Sequence, residues 1–290
     1  YFGDNYIVVN KLTGESNSIK VEKPEISTLP LNRDTLSSFA SMFENMESSR
    51  LTPVYNNYQD IQENTLNSGI PFYYVKNTTN EIFSLDYILD MGAFSDQEMA
   101  LAVEYLEYLG TDKYTSSDIE REMFKLGLSY SVYAAEERVY VSLSGLEESL
   151  EEGIKIFEHI LNNVKPDQKA YDNMVSDIIK QREDNKLSKG YIAYGMREYA
   201  KYGDDSPFKY MIPQESLSVI DVQKLADKIK SLTSFEHYVY YYGRKDLNEV
   251  RTLLNTHHKT PEVLNPLIPA KEFVELDIDS NIVFFTDYDM

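Results

Sequence analysis

Two amphipathic segments set back to back, residues 96–109 and 115–127, limit what this chain can fold into more than any other feature. Met99, Ala102, Val103, Leu106 and Leu109 recur at steps of three and four, which predicts a helix over Asp96–Leu109 with one apolar face. Asp96 near its start complements the helix dipole, and Gly110 is placed as a C-terminal stop. Thr115-Ser116-Ser117-Asp118 then opens a second helix that Gly127 closes. The polar flank of the first helix carries Glu104-Tyr105-Leu106-Glu107-Tyr108. Strand-like runs lie on both sides of the pair. The expected fold is therefore α+β, a mostly antiparallel sheet of about five or six strands with helices packed on one face. The strand runs are too widely interrupted by helices for a sandwich, and their turns are too short for parallel crossovers.

The remaining elements follow from the same patterns. Asp4–Asn10 is a short β-like run, Lys11 to Pro30 a polar linker, and Leu36–Met46 a short helix. Gln62–Asn67, Phe72–Lys76 and Ile82–Asp90 read as strands, with turn chemistry at Asn67-Ser68-Gly69 and Asn77-Thr78-Thr79-Asn80. Leu128–Ala134 and Arg138–Leu143 make a further pair of strands. Helices follow at Glu148–Val164, Gln168–Lys186, Tyr191–Tyr202 and Val219–Leu232, then a strand at Tyr238–Tyr242 and a helix over Asp246–Asn255 capped by its aspartate. Three prolines between Pro261 and Pro269 mark a second linker, and Ile282–Tyr288 is a lone strand. Tyr6-Ile7-Val8-Val9 before Gly14 echoes Tyr238-Val239-Tyr240-Tyr241 before Gly243, and Ile282-Val283-Phe284-Phe285 echoes Ile70-Pro71-Phe72-Tyr73-Tyr74. The reading is one α+β repeat with the edges of its neighbours. Residues 1–57 would be the last strand of a preceding domain plus linker, 58–260 the main domain, and 261–290 a linker and the first strand of a following domain. A chain opening on Tyr1 rather than Met fits a piece of a longer polypeptide.

A strand ending in Asp90-Met91-Gly92, a helix with a five-residue site, Leu109-Gly110-Thr111, a second helix, Leu126-Gly127 and two strands together resemble the insulinase/pitrilysin family of zinc metallopeptidases. The order of elements carries the resemblance over about Asn67 to His257. Active members of that family have His-x-x-Glu-His at the five-residue site, the inverted zinc motif. Here Glu104 stands at the first histidine, Tyr108 at the second, and Glu107 at the general base. The resemblance implies a third ligand position near Asp177, with Glu183 a lesser counterpart. A catalytic zinc needs three protein ligands and an open site, and carboxylates with a neutral phenol do not replace two imidazoles. The degenerate positions Glu104, Glu107, Tyr108 and Asp177 are thus expected to be a polar helix face, with no catalytic, cofactor or metal role. The implied function is that of a non-catalytic domain of a larger zinc metalloendopeptidase. It would wall the peptide chamber and support substrate binding beside a homologous catalytic domain of the same chain, which holds the zinc. The alternative is a non-proteolytic scaffold or assembly subunit of the same fold.

Other residues add no competing site. His159 is expected on a helix surface, His237 before a strand, and His257-His258 at a helix end, where adjacent residues diverge by about 100°. Gly190-Tyr191-Ile192-Ala193-Tyr194-Gly195 sits among helices rather than after a strand, against a nucleotide loop. Gly203-Asp204-Asp205-Ser206-Pro207-Phe208 reads as a turn. With 48 acidic residues against 28 basic ones, the net charge of −20 disfavours nucleic acid and anionic membranes as partners; it says little about peptides, and a solvated acidic surface is its simplest reading. No apolar run has the length of a membrane span. The absence of cysteine excludes disulfides and thiolate metal sites.

Overall fold

Strands that alternate in polarity bury one face and leave the other half-open, and the sheet here is built on that rule. A computed structural model describes residues 35–48, 50–53, 55 and 58–286, and the chain divides into a unit ending at Tyr55 and a unit beginning at Asn56. In the first unit, α1 (Ser38–Glu44) is capped by the Ser37 hydroxyl, which accepts the Ala40 N–H at 3.1 Å. The expected strand at Asp4–Asn10 and the linker from Lys11 to Pro30 lie outside the described residues.

The second unit runs β1 (Gln62–Thr65), β2 (Pro71–Lys76), β3 (Ile82–Leu89), α2 (Gln97–Leu106), α3 (Ser116–Lys125), β4 (Leu128–Ala134) and β5 (Val139–Leu146). It continues with α4 (Leu150–Asn163), α5 (Gln168–Lys186), α6 (Lys189–Tyr202), α7 (Gln214–Leu217), α8 (Val222–Ser231), β6 (Tyr238–Gly243) and α9 (Leu247–His257). Among the described residues the sheet has six strands in the order β1-β2-β6-β3-β5-β4. Its β2–β6 ladder is parallel and the other four are antiparallel. The α+β class holds, with a mixed rather than purely antiparallel sheet. Phe83, Leu85, Tyr87 and Leu89 on β3 and Val139, Val141 and Leu143 on β5 are buried. They join Ile154, Phe157, Ile160 and Leu161 of α4 and Leu225, Ala226 and Ile229 of α8 in one core. The Val, Leu, Ile and Phe side chains among them each contribute about 1.5–3 kcal/mol through burial. The opposite row, including Tyr73, Tyr140, Tyr238 and Tyr240, stays half-exposed.

Three local expectations need correction. The Asn77–Asn80 segment keeps its turn chemistry, with Thr79 N–H on Asn77 Oδ1 at 2.9 Å, but the strands it joins are not neighbours, because β6 inserts between β2 and β3. Asn77 spans the wider gap, giving its backbone N–H to Gly243 at 2.7 Å and its side-chain amide to the Ile82 carbonyl at 2.8 Å. Asp246 stands at the start of α9 but does not cap it with its side chain; the carboxylate pairs with Lys76 at 2.7 Å. Residues 281–286 join no strand, and 287–290 lie outside the described residues. Residues 261–276 instead run over this unit, with Asn265 N–H on Ser234 O at 2.8 Å, Lys271 N–H on Phe94 O at 2.8 Å and Leu276 N–H on Lys201 O at 2.7 Å.

Candidate functional site: a groove at the degenerate motif

The first helix of the sequence pattern is α2, and its start is well fixed. Asp96 accepts the Met99 N–H at 2.9 Å and pairs with Lys228 of α8 at 2.5 Å. Its end comes earlier than periodicity predicts. The helix stops at Leu106, and the chain tightens, with Tyr108 N–H on Tyr105 O and Leu109 N–H on Leu106 O, both at 3.1 Å. Glu104 therefore lies on the last helical turn, while Glu107 and Tyr108 lie in the tightened turn after it. Buried Leu106 and Leu109 hold that turn on the core, which leaves the three polar side chains outside.

Tyr105, inside the motif, sets what these residues face. It is fully buried, its hydroxyl donates to Asp167 O and accepts the Asp167 N–H, each at 2.7 Å, and its ring meets Tyr171 edge-on at 5.5 Å. Asp167 also caps α5 by accepting the Ala170 N–H at 3.0 Å. Tyr171 in turn donates to the Leu217 carbonyl at 2.6 Å. These contacts lay the first half of α5 beside α2.

The result is a groove of about 370 Å³ lined by Glu104, Glu107, Tyr108, Asp177 and, from β4, Val132 and Tyr133. A second hollow of about 380 Å³ shares Glu104, Ile178 and Gln181 with it and extends past Arg182 to Met211 and Leu217. The structure thus brings all four degenerate positions together. Glu183 is not among the lining residues; it pairs with Lys186 at 2.6 Å. Because β4 ends the sheet order, its outer edge offers backbone N–H and C=O groups beside the groove.

Negative charge dominates the lining. Crowding by protein raises the Glu104 carboxyl above its ordinary value; the neighbouring Glu107 raises it further and Arg182 partly offsets both. The side chain keeps solvent on one side, so the effect belongs to a crowded rim rather than to a buried charge. The Tyr130 phenol is pushed up to about 12 by burial, then by Glu107 and Glu120.

Zinc of the kind the family implies does not fit these residues. The lining supplies carboxylates and two phenols and no imidazole, and among the described residues no group of three or more His, Asp, Glu or Cys is arranged to hold a metal. The histidines lie elsewhere. His159 is tucked in rather than at the surface, bonded to Thr111 at 3.0 Å, while His237 and His258, far apart in sequence, meet at 2.9 Å. Spacing along the chain gave no sign of that pair. Tyr105 was equally hidden, since a tyrosine on an apolar helix face reads as ordinary core.

No family model and no curated protein sequence matches the chain. Solved structures do. The periplasmic protease PqqL from Escherichia coli is similar over 85 % of this chain, with a TM-score of 0.65 and 12 % identity. The ferredoxin protease FusC, solved in complex with Arabidopsis ferredoxin, is similar over 80 % at TM-score 0.63 and 13 % identity. A peptidase M16 inactive domain from Pseudomonas fluorescens is similar over 74 % at TM-score 0.63 and 14 % identity. This is the fold of an insulinase-like M16 peptidase domain. The chain spans 31 % of PqqL, 26 % of FusC and 54 % of the Pseudomonas chain.

Proposed function

We propose that this chain is a non-catalytic domain of a larger insulinase-family zinc metalloendopeptidase. It walls the peptide chamber and helps bind substrate, while a homologous catalytic domain of the same polypeptide holds the zinc. One observation carries the reading: the four positions of the inverted motif converge on a groove beside an open strand edge, with the metal-binding imidazoles replaced. An extended peptide can pair its backbone with such an edge and place alternate side chains in the adjoining hollow. The likeness in fold to an M16 inactive domain and to proteases several times longer supports the same assignment.

Fluorescence anisotropy with a labelled, unstructured peptide tests it. Saturable binding without cleavage is expected, weakened about fivefold or more by Tyr133→Ala, on the order of 1 kcal/mol. Cleavage by the chain alone would overturn the non-catalytic assignment. Absence of peptide binding, with binding only to a companion domain, would favour the scaffold alternative.

A further inference from the structure

Helix α6 contributes no buried side chain to the core, so other contacts must hold it and the turn that follows it. The segment after α9 supplies them. Leu276 N–H donates to Lys201 O at 2.7 Å near the end of α6, and Lys201 pairs with Glu275 at 3.6 Å. Lys271 pairs with Asp205 at 2.5 Å, and its backbone N–H donates at 2.8 Å to Phe94 O, just before α2. Ion pairs this exposed contribute little on their own, so the rings beside them matter more.

Phe273 sits among those rings. It meets Phe94 at 4.8 Å, Tyr210 at 5.6 Å and Tyr202 at 6.5 Å, each edge-on, and Phe94 and Tyr210 meet each other at 6.0 Å. The Lys271 ammonium lies 4.9 Å from the Tyr210 ring centre and 4.8 Å from that of Phe273, within cation–π reach. Phe94 adjoins Ala93, which lines the hollow beside the groove together with Leu101 of α2. Tyr210 lines the same hollow with Ile212 and Leu217. Phe273 is not itself a lining residue, yet it joins the two segments that are.

The hollow suits one kind of group. At about 380 Å³ it stands at the small end of ligand pockets, and Leu101, Ile178, Ile212 and Leu217 give it apolar surface. It opens on the groove through the shared residues Glu104, Ile178 and Gln181. A gap of about 0.5–1 Å between such a wall and its ligand forfeits a quarter to a half of the contact attraction, so fit depends on what holds the walls.

We propose that Phe273 is a positioning residue for peptide binding: with Lys271 it clasps the walls of the hollow at the spacing that admits one large apolar side chain of an extended peptide. This rests on the reading of the groove as a peptide site and adds what the peptide must carry. The segment after α9 and the bound peptide then stabilise each other, because each favours the same arrangement of the walls.

The test uses the 290-residue chain and two labelled Ser/Thr-rich peptides, one with a single central Leu and one with Ala in its place. In anisotropy titrations the parent should prefer the Leu peptide about tenfold. Phe273→Ala should cut that preference to about twofold or less while binding the Ala peptide as the parent does, and Phe273→Tyr, which keeps the ring, should restore it. The Leu peptide should also slow amide exchange at Lys271 and Leu276 of the parent, a measurement that stands even where Phe273→Ala fails to fold. Phe273 is only half-buried and lies outside the core, and protection retained at Leu85 and Leu143 identifies a folded variant. A parent that binds both peptides alike, a preference unchanged in Phe273→Ala, or exchange at Lys271 and Leu276 unmoved by the Leu peptide overturns the positioning role and leaves the peptide site standing. A parent that binds neither peptide overturns both.

Discussion

The Tyr105 hydroxyl and the Asp167 backbone bond to each other in both directions, O–H to carbonyl and N–H to oxygen, each at 2.7 Å. This double bond fastens the end of α2 to the start of α5, the two walls of the groove. Tyr105→Phe keeps the ring but leaves the Asp167 N–H without its partner in a part-buried site, while the Asp167 carbonyl keeps the Tyr171 N–H at 3.0 Å. The expected cost is about 1–3 kcal/mol, read from urea unfolding, together with weaker peptide binding in the groove. A loss below about 0.5 kcal/mol, the range of an ordinary surface substitution, would show that the walls are held together by other contacts.

Local patterns are legible in the sequence where one element decides them. Thr115 and Asp118 form the reciprocal cap at the start of α3, with Asp118 N–H on Thr115 Oγ1 and Thr115 N–H on Asp118 Oδ2, both at 3.1 Å. Gly127 takes a φ of +64° at that helix's end, where a side chain would strain the backbone. What pattern could not reveal depends on partners far along the chain. The insertion of β6 between β2 and β3 is set by the matching of Tyr241 with Leu85 and Tyr74. Asp246 has the residue type of a cap, and only the fold puts Lys76 where it draws the carboxylate away. At the groove, the frame Glu104-x-x-Glu107-Tyr108 was legible from the family resemblance, whereas the contacts that aim it, Tyr105 on Asp167 and Tyr171 on Leu217, were not.

Glu147 is a second tertiary anchor outside the reach of pattern. Only 6 % exposed, it accepts from the Tyr241 hydroxyl, from Arg244 N–H at 2.7 Å and from Lys245 N–H at 3.2 Å. Hydrogen bonds to a charged group are worth about 1.5–3 kcal/mol, so Glu147→Ala should destabilise by at least that much in chemical denaturation. Tyr241→Phe, which leaves both backbone donors in place, should cost less. Equal losses in the two variants would mean that the phenol rather than the backbone pair holds the carboxylate.

The raised Glu104 carboxyl has a definite sign. A carboxyl whose value is higher folded than unfolded binds more protons in the folded state, so its influence on stability worsens as pH rises through that window and stays unfavourable above it. Glu104→Gln should therefore be slightly more stable than the parent at pH ~7, by at most about 0.5 kcal/mol on this solvent-open rim. The difference should vanish below pH ~4, where the carboxyl is protonated in both states. Thermal melts at the two pH values check this, and a parent more stable than the variant at neutral pH would reverse the sign.

Zinc titration by calorimetry of the parent and of a triple variant, Glu104→His with Tyr108→His and Asp177→Glu, tests the central claim most directly. If the groove keeps the frame of the inverted motif without its ligands, the parent binds no stoichiometric zinc. The variant gains two imidazoles and a longer carboxylate around one space, and should bind one equivalent. Affinity should remain about 10–100-fold short of an evolved site, since the partners that orient each imidazole are missing. One equivalent retained by the parent, or equal and negligible binding by both, would contradict the account.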